Sequence, residues 1–321
     1  MASTTRPLTR QWSWAEAEER GSIAGMRLTA WFYRLCGRRL ATLFILPIVT
    51  YFFLTDRRGR RASHRYLSRL HAWADGRAAL GHPPGLYDSF RHYWEFGLTT
   101  LDRVGFWTDH ADRFTITFHG REHFTSLIEE RRGAILLGAH LGSFDALRAL
   151  ADRWAITVNV LTTTRHAARI NRVLRELSPR AAVRVIEIDP ISNRSVFELK
   201  ACLERGEFVA VLGDRVAPGP RTRAVEVDFL GGRAAFPPGP FVLASRLDCP
   251  VLLMIGVRVG PDAYEVFAEP FAERVTLPRA ERNARLHELV DAYARRLEAY
   301  CLKAPYQWFN FYDFWGEEAS P

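Results

Sequence analysis

From about residue 113 onward, short β-rich runs alternate with helical stretches, and no other feature of the chain constrains its fold as strongly. The candidate strands are Arg113–Phe118, Ala134–Ala139, Thr157–Leu161, Val183–Ile188, Phe208–Leu212, Val225–Phe229, Val251–Val257 and Tyr264–Phe267. Helical patterns lie between many of them, at Ser143–Trp154, Ala167–Leu177, Ser195–Arg205 and Phe241–Arg246. A long helix from about Arg279 to Leu302 follows, with Leu286, Val290, Tyr293 and Leu297 on one stripe. Such alternation predicts an α/β fold with a mostly parallel central sheet flanked by helices. The Pro/Gly-rich stretches 216–220 and 231–240 read as loops.

The first third differs. Residues 63–80 and 86–108 have helical periodicity with many aromatics, and His82-Pro83-Pro84-Gly85 breaks them apart. Ahead of them, Leu40–Leu54 carries no charge. Its 15 residues fall short of the roughly 20 that span a bilayer, and Pro47 is expected to kink it. Arg38 and Arg39 precede it, and Arg57, Arg58, Arg60 and Arg61 follow. The pattern reads as a shallow membrane anchor with its arginines on anionic headgroups; a buried core helix and a single span are the alternatives. Residues 1–110 are thus expected as a helical region with membrane-associating segment 40–54. Residues 111–321 are expected as the α/β part, integrated with it into one fold.

Lys+Arg exceed Asp+Glu by 44 − 36 = 8, and Lys200 and Lys303 are the only lysines. An arginine excess favours anionic partners, but these arginines are spread along the chain rather than clustered as a nucleic-acid groove requires. Cys36, Cys202, Cys249 and Cys301 lie far apart, with no zinc or disulfide spacing. His119 and His123 lack the surroundings of a zinc helix, and no phosphate-binding glycine loop or G-x-S-x-G is present. No metal or organic cofactor is expected.

The sharpest local signal is Ala134-Ile135-Leu136-Leu137-Gly138-Ala139-His140-Leu141-Gly142-Ser143-Phe144-Asp145. An apolar strand ends at His140, where open α/β sheets bind ligands. Asp145, in the first turn of the next helix, is expected to reach back to the imidazole. That contact would fix the tautomer and leave the other nitrogen to take a proton. The alternative is a turn histidine with Asp145 capping the helix. Ser143 reads as a helix cap rather than a nucleophile. Asp214-Arg215 ends the Val209–Leu212 run, again at a strand's carboxyl end, where Arg215 suits a phosphate or else locks a turn with Asp214. Phe229-Leu230-Gly231-Gly232-Arg233 and Phe236-Pro237-Pro238-Gly239-Pro240 form a loop leading into a helix, where Arg233 can face an anionic group; a rigid turn is the alternative.

Taken in order, the H-x-x-x-x-D block at 140–145, G-D-R at 213–215 and F-L-G-G-R-A-A-F-P-P-G-P at 229–240 resemble the lysophospholipid acyltransferase superfamily. They are most similar to its late lipid A acyltransferase (lauroyl and myristoyl transferase) branch, over roughly residues 25–315. The aromatic tail from Pro305 to Trp315 also resembles an acyltransferase subgroup found with aryl polyene and related lipid-pigment pathways. Arg215 stands where the lipid A enzymes more often have glutamine.

The resemblance implies transfer of a fatty acyl group from an acyl carrier protein or coenzyme A thioester to a hydroxyl or amine of a lipid-type acceptor. His140 matches the family's general base and Asp145 its orienting acid; no acyl-enzyme is required. Gly142, Arg165, Asn171, Asp214, Arg215, Arg233 and Phe236 are carried over as substrate-binding positions. The expected partners are acyl carrier protein, a membrane lipid or lipid-linked acceptor and an anionic membrane surface. The expected location is the cytoplasmic face of a bacterial inner membrane. A hydrolase or thioesterase using the same dyad on water, and a non-catalytic lipid-binding protein, are the alternatives.

Overall fold

The computed structural model describes residues 23–73, 75–107, 111–146, 154, 156–162, 183–187, 193–217 and 223–316. The chain enters through α1 (Ile23–Thr55), α2 (Arg57–Ala72), α3 (Gly76–Leu80) and α4 (Leu86–Phe106). There follow β1 (Thr115–His119), α5 (Arg121–Glu129), β2 (Ile135–Gly138), β3 (Val158–Thr162), β4 (Val183–Glu187), α6 (Asn193–Glu204) and β5 (Phe208–Leu212). The remainder is β6 (Val225–Phe229), β7 (Gly232–Phe236), α7 (Gly239–Leu247), β8 (Val251–Gly260), β9 (Ala263–Ala272) and α8 (Arg282–Lys303).

Seven strands form one sheet in the order β1-β9-β8-β2-β5-β3-β4, and β6 and β7 form a separate hairpin. Within the large sheet β8 and β9 pair antiparallel; every other described pairing is parallel. β2 is buried at every position because helices cover both faces, which explains its unbroken apolar run. Successive side chains point to opposite faces. Ile135 and Leu137 join Val209, Leu253 and α8 residues Val290 and Tyr293. Leu136 joins Ala210, Met254, Phe124 of α5 and Phe106 of α4.

The stretch 231–240 is not all loop, because β7 occupies Gly232–Phe236 and pairs antiparallel with β6. Leu230 (φ 48°) and Gly231 (φ 72°) both have positive φ, as a tight two-residue hairpin turn requires. Leucine disfavours that backbone conformation, so the residue types at the turn do not signal a hairpin. Here Leu230 is buried, and its N–H donates to Glu298 of α8 at 2.5 Å.

The N-terminal helix is also longer than its uncharged core suggested. It runs through Pro47, and its one non-helical residue is Gly37 (φ 78°, ψ 172°). Arg27–Thr55 is long and apolar enough to cross a membrane, and only 17% of that apolar window is buried. One face packs on α4 through Tyr33, Ala41 and Ile45 against Leu98 and Leu101. Trp31, Leu35, Leu43, Tyr51 and Leu54 are exposed.

Just past the Gly37 break, Arg38 donates from Nε and Nη2 to the two oxygens of Asp102 at 2.6 and 2.9 Å. The Tyr264 hydroxyl adds a third bond to Asp102 at 2.8 Å. This fully buried carboxylate ties α1, α4 and β9 together. Asp102→Ala would leave Arg38 without its main counter-charge, and breaking a buried pair costs about 3–5 kcal/mol. The expected outcome is a clear drop in thermal midpoint by calorimetry, with Asp102→Asn losing less.

Candidate active site

The site grows from the carboxyl ends of the neighbouring parallel strands β2 and β5. Gly138 pairs with Leu212, and each strand runs two residues further, to His140 and to Asp214. Gly213 N–H donates to Gly138 O at 2.9 Å, holding the two ends together. The Tyr293 hydroxyl of α8 donates to the same carbonyl at 2.8 Å.

His140 Nδ1 lies 2.7 Å from Asp214 Oδ1, and the His140 backbone N–H donates to Asp214 Oδ2 at 3.0 Å. Trp308 Nε1 and Asn310 Nδ2 donate to that second oxygen at 3.1 and 3.0 Å. Asp214 is fully buried, whereas the His140 side chain keeps 28% exposure. Burial pushes the Asp214 carboxyl up, but the interaction with His140, through its ring and backbone hydrogen bonds, and the charge of Arg215 outweigh it and hold it well below the usual range. The ionised carboxylate can only accept, so Nδ1 carries the proton. Burial, reinforced by Arg215, lowers the His140 pKa below its ordinary value against the pull of Asp214. The ring is therefore neutral near pH 7. No described residue hydrogen-bonds Nε2, and the side chain keeps part of its surface exposed.

The expected bond from Asp145 to His140 is not formed. Asp145 opens a helical turn, and its Oδ2 and Oδ1 accept from Arg103 Nε and Trp107 Nε1 of the α4 end, each at 2.6 Å. The imidazole is occupied from the other side by β5, so the carboxylate five residues along the chain finds partners on α4. Ser143 does not act as a cap: its hydroxyl is buried and unpartnered among the described residues.

The C-terminal segment closes the site. Leu141 bridges Trp308, Phe309 N–H donates to His140 O at 2.7 Å, and Gly142 N–H donates to Gln307 O at 2.8 Å. Gly142 has φ +64°, and a Cβ there would meet the Gly256 carbonyl oxygen at 1.9 Å; only glycine allows this approach. Arg215 donates from Nε to Asn310 Oδ1 and from Nη2 to Phe309 O, both at 2.7 Å. It thus locks the tail beside Asp214. Behind the tail, fully buried His92 of α4 binds Trp308 O through Nε2 at 2.9 Å and Ser63 Oγ through Nδ1 at 3.0 Å.

Of the residues named from the sequence, His140, Gly142, Asp214 and Arg215 come together. Arg233 stands exposed on β7, donating to Glu226 O at 2.9 Å and lying 3.4 Å from Asp228 Oδ1. Phe236 is fully buried among Phe229, Phe314 and Tyr293; it is core and has no open surface for an acyl chain. Arg165 and Asn171 lie outside the described residues. Sequence reasoning missed Arg103, Trp107 and His92, which sit in an aromatic helix with no local motif. Trp308 and Asn310 were visible only as part of an unusual tail.

A family model for bacterial lipid A biosynthesis acyltransferases matches residues 88–316. No curated protein matches the chain.

Burial lowers the His92 pKa to about 3, while in the unfolded chain it titrates near 6.5. Between those values the unfolded state binds the extra proton, so stability falls as pH drops below about 6.5, by up to roughly 1.4 kcal/mol per unit. Thermal midpoints measured from pH 7 to 5.5 should decline. His92→Gln, which cannot protonate, should flatten that slope.

Proposed function

The chain belongs to the bacterial lipid A biosynthesis acyltransferase family, and from that premise we propose that it moves a fatty acyl group from an acyl carrier protein or coenzyme A thioester to a hydroxyl or amine of a lipid-type acceptor. The observation that supports this most is the His140–Asp214 pair: a neutral imidazole at the end of a parallel strand, its tautomer fixed by a buried carboxylate, with an Nε2 that no described residue hydrogen-bonds. Such a group serves as a general base. The acceptor's proton passes to Nε2 as its oxygen or nitrogen attacks the thioester carbonyl. A tetrahedral intermediate forms, the C–S bond breaks, and the departing thiolate takes the proton from His140. Asp214 stabilises the transient imidazolium. No protein nucleophile enters the sequence of steps.

Membrane association follows from the family and from the apolar α1. We read α1 as lying along the surface, because its inner face is committed to α4, whose neighbouring turns hold buried His92 and Asp102. Drawing that pair of helices into hydrocarbon would bury charge at high cost. Exposed Arg34, Arg39, Arg57, Arg58 and Arg61 flank the apolar face and suit anionic headgroups. Donor thioesters are made in the cytoplasm, which favours the cytoplasmic leaflet. An acidic carrier protein would be steered by the net positive charge.

The test is acyl transfer from lauroyl acyl carrier protein, with and without a total lipid extract of the source cell, read by mass spectrometry. Native enzyme should give a new acylated lipid, and His140→Ala should give none. Asp214→Asn presents an amide N–H to Nδ1 and favours the wrong tautomer, so turnover should fall on the order of 10²–10⁴-fold. Because only neutral His140 accepts a proton and its pKa is lowered, the rate should rise with pH to a plateau, with its half-maximal point below about 6.5, the ordinary histidine value. Thioester loss that is equal without lipid would indicate a thioesterase instead.

A further inference from the structure

General-base catalysis by His140 deals with the proton but not with the charge that develops on the thioester oxygen. When the acceptor attacks, the thioester oxygen becomes an oxyanion and needs donors already in place. The turn after His140 offers backbone N–H groups, but Gly142 N–H is committed to Gln307 O at 2.8 Å and Ser143 N–H to Gly256 O at 2.7 Å. Two arginines are bonded to the segments that frame His140: Arg215 to the tail beside Asp214, and Arg103 to Asp145 at the end of the same H-x-x-x-x-D block. Arg215 is engaged through Nε and Nη2 by Asn310 and Phe309. Arg103 differs. Its Nε is held by Asp145 Oδ2 at 2.6 Å, its side chain keeps 36% exposure, and no described residue takes its two Nη groups. Asp145 is fixed in turn by Trp107 Nε1 on its other oxygen at 2.6 Å.

We infer that Arg103 is a catalytic residue that receives the thioester oxyanion on its Nη groups, and that Asp145 is a positioning residue that aims it, rather than a partner of His140. This rests on the acyl-transfer reading. The guanidinium is always charged and presents donors in a fixed fork. With Nε pinned, rotation of the fork is restrained, and its Nη donors are left for a substrate. As the acceptor O–C bond forms, the carbonyl electron pair moves onto oxygen against Arg103. When it returns, the C–S bond breaks and the thiolate leaves with the proton from His140 Nε2. The two ends of the H-x-x-x-x-D block thereby serve the two halves of one step, one at the proton and one at the oxyanion.

The test uses full-length enzyme, lauroyl acyl carrier protein and the lipid extract, with kcat and KM for the donor measured separately. Arg103→Ala should lower kcat by about 10²–10³-fold, as loss of one oxyanion donor does, with KM within about threefold. Added guanidinium at millimolar concentration should recover part of that loss. Asp145→Asn should lower kcat less, and the Arg103→Ala/Asp145→Asn pair should be no worse than Arg103→Ala alone, since both remove one device. Arg103→Gln keeps a donor for Asp145; an unchanged thermal midpoint with lost kcat separates catalysis from folding. If Arg103→Ala keeps kcat while His140→Ala is dead, the inference is overturned and the acyl-transfer reading stands. A change in KM alone also overturns it. If His140→Ala remains active, the underlying reading itself fails.

Discussion

The parallel pairing of β2 with β5 is the constraint on which the site depends. It puts Gly138 beside Leu212, so that two further residues on each strand deliver His140 and Asp214 to one another. A register slip by one residue would turn the side chains to opposite faces. The slip is resisted because Ile135 and Leu137 are committed to one apolar cluster and Leu136 to the other. Core packing thus fixes the geometry of the polar pair.

Keeping an ionised carboxylate fully buried at Asp214 requires compensation. Donors come from the His140 ring and backbone, from Trp308 and from Asn310. Two of these belong to the C-terminal tail, so the tail is part of the site. Its aromatic character suits this double role. Trp308 lies with Tyr66, Phe229 and Phe314 in one apolar cluster while its indole N–H reaches the carboxylate. A buried Trp carries both apolar area and one donor. Arg215 and His92 then hold the tail from two sides.

Helix α4 joins the membrane-associated part to the chemistry. One end packs against α1, and Asp102 receives Arg38 from it. The next residue, Arg103, turns toward Asp145 and the site. Phe96, exposed on the same helix, touches Phe309, whose N–H holds His140 O. Contacts thus run without a break from α1 through α4 and the tail to His140.

Periodicity alone determined the α/β class, the mostly parallel sheet and the long final helix, because buried parallel strands must be apolar throughout and surface helices must carry a stripe. It also placed His140 and Asp214 at strand ends, since an apolar run that stops at a polar residue marks where a strand leaves the core. The hairpin at Leu230-Gly231 was not legible, because a leucine held at positive φ breaks the local rule and is sustained by packing and by Glu298. The partner of His140 was not legible either. Local spacing favoured Asp145, five residues away, yet Asp214 is 74 residues distant in sequence. Which carboxylate meets the imidazole depends on which strand lies beside β2 and in what register. That is settled by long-range packing, which leaves no mark in the spacing of a motif.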